Sequence, residues 1–88
     1  MLRISVINET EKSIRLAVEG WLIGPWVEVL RHQSERALSE ATNVTLDLEK
    51  LWFADPSGAA LLRQLALRDV AQLNCSSFIS QQVKETNV

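Results

Sequence analysis

NVTLDLEKLWFADPSGAALL, residues 43–62, is the stretch that decides the fold of this chain. In its first part, apolar residues recur at every second position, at Val44, Leu46 and Leu48. Such alternation, in a run bounded by turn-forming residues, is typical of a strand with one buried face. We therefore predict a strand over Asn43–Leu48, and we interpret residues 49–54 as the connection that follows it.

The second part of the stretch predicts the start of a helix. Asp55 is a preferred N-cap, because its carboxylate can accept hydrogen bonds from the free amides of the first turn. Pro56 then falls at the first helical position, where a missing N–H costs nothing. The Ser57 hydroxyl would lie beside unpaired N–H groups and the positive end of the helix dipole. A phosphate attached there would be electrostatically favoured.

The same residues resemble the central motif of STAS domains, a family that includes the bacterial anti-sigma-factor antagonists. The family pattern is Leu-Asp-Leu, several residues, an apolar residue, Asp, Ser, Ser or Thr, Gly, and then a helix with leucines. This chain has LDL at 46–48, FADPSG at 53–58 and leucines at 61 and 62. Ser57 stands at the hydroxyl position that an anti-sigma kinase phosphorylates in that family. Pro56 replaces the usual serine, so a partner that reads that serine would lose a contact.

The composition is that of an ordinary globular domain. The chain has 88 residues, of which 47% are hydrophobic and 23% charged, and this predicts one domain over residues 1–88 with a single modest core. The formal net charge is -2, and the lysines and arginines are scattered without a basic run. We therefore expect no nucleic-acid partner.

Cysteine usage and the N-terminus bear on the compartment. Cys75 is the only cysteine, so no disulfide can form within the chain, which fits a reducing environment. The N-terminus lacks a charged segment followed by an apolar core, and no apolar run approaches the ~20 residues that span a bilayer. We expect a soluble cytoplasmic protein with no membrane partner.

The N-terminal half predicts a hairpin and a helix. Leu2–Ile7 and Ile14–Glu19 alternate with period two, and the short polar link between them suggests antiparallel pairing, with Gly20 ending the second strand. Residues 20–25 resemble the Gly-x-Leu-x-Gly-Pro segment of STAS domains. A helix is predicted over Pro25–Ala41. Its expected apolar face comprises Trp26, Val29, Leu30, Gln33, Ala37, Leu38 and Ala41.

The C-terminal half continues the alternation of strands and helices. In the helix that begins after Asp55, the expected inward residues are Leu61, Leu62, Leu65, Ala66 and Val70, and we expect Leu67 to be partly exposed. We then predict a last strand over Ala71–Cys75 and a final helix capped by Ser77. Its expected core residues are Phe78, Ile79, Gln82 and Val83, and the tail over 85–88 is expected to fray.

After the first strand, the predicted order is strand, helix, strand, helix, strand, helix. This order favours an α/β fold with a mainly parallel sheet and right-handed crossovers. The expected arrangement, which the resemblance also implies, is a small STAS-like fold. It has about four strands, mainly parallel, with an antiparallel edge strand and the helices mainly on one face.

A partner site is expected at one edge of this sheet. The strand carboxyl ends and helix N-termini meet there, which is where ligands and partners bind open sheets of this kind. The residues that we predict to contact a partner are Trp21, Gly24, Trp52, Asp55, Pro56, Ser57 and Gly58. An alternative for residues 55–58 is that they only start a helix, although the resemblance favours a regulatory Ser57. The loop tryptophans either anchor an interface or cover the ends of the sheet.

Other reactive or polar residues have simpler interpretations. Trp26 is expected in the core, and Asp47 is expected to be structural, with a hydrogen-bonding partner. Cys75 is expected to be a buried small hydrophobe. His32 is the only histidine and is far in sequence from Ser57, and the chain has no Gly-x-Ser-x-Gly elbow, zinc-ligand set or Gly-rich phosphate loop. We expect no enzyme, no metal and no cofactor.

The resemblance implies a protein-interaction switch in transcription regulation. Its partner would be an anti-sigma factor with serine kinase activity, which would phosphorylate Ser57. The alternative is a STAS-like scaffold, or a domain that binds a small molecule such as a nucleotide or lipid, without regulation by phosphorylation. The sequence leaves the oligomeric state open.

Overall fold

The computed structural model describes residues 1–84, which form five strands and three helices. The expectation for the tail over 85–88 lies outside the described residues. In chain order, the elements are β1 (Leu2–Glu9), β2 (Ser13–Leu22), α1 (Trp26–Glu40), β3 (Asn43–Asp47), β4 (Leu51–Ala54), α2 (Pro56–Leu67), β5 (Ala71–Leu73) and α3 (Ser77–Lys84).

The strands form one mainly parallel sheet. β1 pairs with β2 in antiparallel fashion, and β2, β3 and β5 follow in parallel. β4 also pairs with β2 in parallel, beyond the end of β3. The expected α/β fold with an antiparallel edge strand is confirmed.

The segment interpreted as a connection contains the fifth strand, β4. The Leu51 amide donates to the Leu48 carbonyl at 3.1 Å, which closes a tight turn immediately after β3. The chain then resumes pairing with β2, so that Leu22 lies opposite Ala54. β3 and β4 thus act as one interrupted strand along β2. The expectation of about four strands therefore missed a short one.

Gly20 does not end β2, contrary to the expectation. The strand passes through Gly20 at φ +104° and continues to Leu22, with a bulge between Gly20 and Trp21. A Cβ at Gly20 would collide with the carbonyl oxygen of Met1. Only glycine combines this backbone angle with so close a contact. Trp21 is therefore a strand residue and does not lie in a loop.

The helices cover one face of the sheet. Along β2, Ile14, Leu16 and Val18 are buried, whereas the intervening residues are exposed or half-buried. Leu16 lies opposite Leu46 of β3, which is also buried. α1 contacts β2, β3 and α2, and α3 contacts α2 and β4. The core therefore lies between the sheet and a single layer of helices, as expected.

The buried face of α1 is rotated relative to the expected one. Val27 and Ser34 are buried, whereas Val29 and Gln33 are exposed. The buried positions 27, 30, 34 and 37 follow the helical spacing of three and four residues. The expected face included Leu30 and Ala37 but neither Val27 nor Ser34.

The C-terminal elements differ in detail from the expectation. α3 begins at Ser77, but its first turn is capped by the preceding residue, since the Ser76 hydroxyl accepts from the Ile79 amide at 3.1 Å. Ile79 is buried as expected, whereas Phe78 is exposed. β5 ends at Leu73 and not at residue 75. In α2, Ala66 is exposed, contrary to the expectation, and the exposure of Leu67 is confirmed.

Ser34→Ala is expected to leave the protein equally stable or up to about 1 kcal/mol more stable. Ser34 is fully buried, and within residues 1–84 its hydroxyl has no hydrogen-bond partner. Alanine removes that unsatisfied group and is a better helix former. Urea unfolding of the two forms measures the difference. A clear loss of stability would show that the hydroxyl makes a stabilising contact.

Candidate functional site

The carboxyl ends of β2 and β4 bring two loops together, as the sequence predicted. The Asp55 amide donates to the Leu22 carbonyl at 3.1 Å, and the Asp55 Oδ2 accepts from the Gly24 amide at 2.9 Å. Gly24 has φ +53°, and a Cβ there would have no heavy atom within 4 Å. The start of α2 is therefore tied to the β2–α1 loop through one aspartate.

Asp55 is the N-cap of α2, as predicted. Its Oδ1 accepts from the Gly58 amide at 2.7 Å and from the Ser57 hydroxyl at 2.9 Å. Partial burial raises the pKa of this carboxyl, but hydrogen bonds from Gly24, Gly58 and Ser57 outweigh it and leave the pKa below its usual value. The carboxylate is thus held charged beside Ser57.

The predicted site residues after Asp55 differ in accessibility. Pro56 and Ser57 are exposed, whereas Gly58 is buried. A Cβ at Gly58 would lie 2.5 Å from the Leu22 carbonyl oxygen, so glycine is needed for the close packing of α2 on β2. Within this turn, the exposed polar side chain is that of Ser57.

Three aromatic rings form a contiguous row at the same end of the sheet. Trp21 of β2 and Phe53 of β4 are opposite each other in register, with ring centroids 6.3 Å apart. Phe53 in turn stacks on Phe78 of α3, also at 6.3 Å and with 30° between the planes. The residues are 52%, 37% and 56% exposed, respectively. We call Trp21, Phe53 and Phe78 the aromatic row.

Trp52 is accessible but has no register partner on β2. It is 63% exposed and is the extra residue of the bulge, because Leu51 lies opposite Gly20 and Phe53 lies opposite Trp21. It belongs to β4 and not to a loop. Sequence reasoning found Trp21 and Trp52 but missed Phe53 and Phe78. No local signal marks Phe53 and Phe78, because they lie on different elements that meet only in the folded protein.

Three residues were expected to have structural roles, and each contacts other parts of the fold: Trp26, Cys75 and Asp47. Trp26 is half-buried and packs against the core, as does Cys75. Asp47 accepts from the Asn74 side chain at 3.2 Å and from the Glu49 amide at 3.1 Å. The Asn74 hydrogen bond, followed by that of Glu49, lowers the pKa of Asp47, and burial raises the pKa of the Cys75 thiol.

Residues 1–84 hold no cluster of three or more His, Cys, Asp or Glu side chains arranged to bind a metal ion. His32 is exposed on α1. Among the helices in this range, none has the length and apolarity needed to cross a membrane.

Comparison with known proteins identifies the fold. No family model and no curated protein sequence matches the chain. Among solved structures, the chain is similar to the anti-sigma-factor antagonist SpoIIAA in its unphosphorylated form, with a TM-score of 0.67 and 21% sequence identity. The similarity covers 96% of this chain and 78% of SpoIIAA. The chain therefore has a STAS-like fold, and the expected architecture is confirmed.

Asp55→Ala is expected to lower the free energy of unfolding by ~1 kcal/mol at pH 7, because the N-cap is lost. The pKa of Asp55 is lowered in the fold, so its charge stabilises the protein above the unfolded pKa of ~3.9. That contribution is lost as the pH falls through the lower folded pKa. The stability difference between wild type and variant should therefore narrow below about pH 4.

Urea titrations of both proteins at pH 7 and at about pH 3 measure this narrowing. Asp47 also has a lowered pKa, but it is present in both proteins, so its contribution cancels. An equal difference at the two pH values would contradict a charged Asp55 cap.

Proposed function

We propose that this chain is a protein-interaction switch of the anti-sigma-factor-antagonist type, which a partner serine kinase turns off by phosphorylating Ser57. The predicted contact residues Trp21, Gly24, Trp52 and 55–57 are proposed as part of the partner surface, whereas Gly58 is buried and serves the packing of α2 on β2. The chain would act in the cytoplasm without catalytic activity or a cofactor of its own. The SpoIIAA-like fold supports this class of function.

The observation that carries the proposal is the exposed Ser57 hydroxyl at the start of α2. A kinase can reach this oxygen, because Ser57 and Pro56 are both on the surface. The hydroxyl donates to Asp55 at 2.9 Å, which fixes its direction before a kinase arrives. The site thus offers an ordered nucleophile on a rigid element.

Phosphoryl transfer at this site would be ordinary serine chemistry. The Ser57 Oγ attacks the γ-phosphorus of ATP held by the kinase, the bond to the β-phosphate oxygen breaks, and ADP leaves. The hydroxyl proton passes to a basic group of the kinase. The product carries about -1.5 to -2 charges where a neutral hydroxyl stood.

The hydrogen bonds around Ser57 support the proposal that this charge would repel the partner. The first-turn amide of Gly58 already donates to Asp55, and that of Ala59 donates to the Asp55 carbonyl at 2.9 Å. A phosphate on Ser57 would therefore find these donors taken and would be repelled by the neighbouring carboxylate. It would point outward, where an apolar or acidic partner surface would reject it. The switch would act through local electrostatic repulsion, without a change of fold.

The alternative, a small-molecule site, has less support at this edge. A groove of about 240 Å³ is lined by Ala17, Glu19 and Asp47 among others, and another of about 340 Å³ lies between β1 and α1. Neither is lined by Ser57 or by the aromatic row. The exposed aromatic residues at the carboxyl edge are of the kind that protein–protein interfaces contain in excess.

The proposal is tested by capturing a partner and then phosphorylating the chain. Immobilised wild-type protein is used to recover a serine kinase, which is purified and incubated with the chain and ATP. We expect one phosphate, mapped to Ser57 by mass spectrometry, and none on Ser57→Ala. Pro56→Ser should be phosphorylated about as well as wild type. Failure to recover a kinase, or phosphate transfer to another residue in wild type, would refute the proposal.

A further inference from the structure

The aromatic row is an apolar surface that the fold leaves uncovered. Its three residues come from β2, β4 and α3, and each ring contacts the next. Two of the three lie in paired strands, so the row is held in place before any partner arrives. Aromatic side chains fixed in this way lose little conformational freedom on binding, which makes them effective interface anchors.

The size of the row matches the centre of a larger interface. From the usual area of an aromatic side chain and the exposed fractions above, the row leaves on the order of 300 Å² accessible. A standard interface buries about 800 Å² on each partner. The row would therefore supply roughly the central third, and the polar surface around it must supply the rest.

The surface beside the row is charged. Glu19 and Lys50, whose side chains are 3.9 Å apart, come two residues before Trp21 and three before Phe53, and Asp55 comes two after Phe53. An aromatic centre with a charged rim is typical of interfaces between proteins that also exist apart. Permanent homodimers bury larger and more apolar surfaces. The row therefore fits a separate, reversible protein partner better than a second copy of the chain.

Ser57 lies within the reach of such an interface. It follows Phe53 by four residues, and four extended residues span at most ~14 Å. A circular footprint of about 800 Å² has a radius of roughly 16 Å. A partner centred on Phe53 would thus extend to the phosphorylation site.

We infer that the aromatic row is the anchor for the serine kinase partner, and that the same interface covers Ser57. This inference rests on the proposed function and adds Phe53 of β4 and Phe78 of α3 to the partner surface. The kinase would carry an apolar patch that covers Trp21, Phe53 and Phe78. Anchoring by the row and release by the phosphate would then be separate contributions to one equilibrium.

The test measures binding of the purified kinase to variants of the full chain by calorimetric titration. Phe78→Ala and Trp21→Ala should each weaken the Kd at least about 30-fold, the range of interface hot spots. Leu67→Ala is the matched control, because Leu67 is also a highly exposed apolar residue but lies at the opposite end of α2. It should bind within about 2-fold of wild type. Circular dichroism confirms that each variant is folded, and Phe78→Ala suffices if Trp21→Ala does not fold.

The outcomes separate the two proposals. If Phe78→Ala binds the kinase with wild-type affinity, the aromatic row is not the anchor, whatever effect the Ser57 substitutions have. If Ser57→Asp binds the kinase with wild-type affinity, phosphorylation of Ser57 is not the switch, even if the aromatic row is the anchor. Sedimentation equilibrium of the chain alone tests whether a second copy of the chain covers the row instead. If wild type is a dimer and Phe78→Ala is a monomer, the row is a dimer interface and not the kinase anchor. If no kinase binds wild type, both proposals fail together.

Discussion

Ser57→Asp is expected to weaken binding of the kinase partner by about 2–5 kcal/mol. The carboxylate introduces a charge at an exposed position that the partner would cover, and that charge must be desolvated or repelled. The neighbouring Asp55 carboxylate, whose Oδ1 is 2.9 Å from the Ser57 hydroxyl oxygen in wild type, adds to the local negative charge. Calorimetric titration with the purified kinase measures the loss.

The matched control is Ser57→Asn, which has nearly the same shape as the aspartate variant but no charge. It should lose much less affinity than Ser57→Asp, and Ser57→Ala should bind like wild type while resisting phosphorylation. All three variants should unfold within about 1 kcal/mol of wild type, because the helix dipole favours a charge there by ~0.3–1 kcal/mol and Asp55 opposes it. Equal losses for asparagine and aspartate would mean that shape, and not charge, controls the interface.

Leu46→Ala and Leu62→Ala are each expected to lower the free energy of unfolding by ~2–4 kcal/mol. Both side chains are fully buried, one on the central strand β3 and the other on α2. Each substitution removes apolar contacts from the layer between sheet and helices and leaves a cavity. For a domain of this size, such a loss is a large part of the total stability.

Denaturant midpoints compare these variants with Lys12→Ala. Lys12 is exposed in the β1–β2 turn. Its backbone carbonyl accepts from the Asn43 amide and its backbone amide donates to the Thr10 hydroxyl, and alanine keeps both bonds. That variant should remain within about 0.5 kcal/mol of wild type. If all three proteins unfolded at similar urea concentrations, the two leucines would not be core residues.

The candidate site could be predicted only in part. Asp55 was recognisable as an N-cap, because capping depends on a few consecutive residues. Its second role, accepting from Gly24 across 31 residues, could not be read from the chain, since it depends on where two strands end. The aromatic row was likewise missed, because its members lie on three elements that meet only in the folded protein.

The sequence by itself determined the class of fold and the order of all its elements except β4. Alternating apolar residues specify strands with one buried face, and Asp55 with Pro56 specifies the start of α2, because these signals act over a few residues. The tertiary structure alone decided that β2 continues past Gly20, that residues 51–54 form a strand, and which face of α1 is buried. These features depend on pairing and packing between distant segments. Which strand a segment pairs with, and which residues of a helix pack on the sheet, cannot be read from a few consecutive residues.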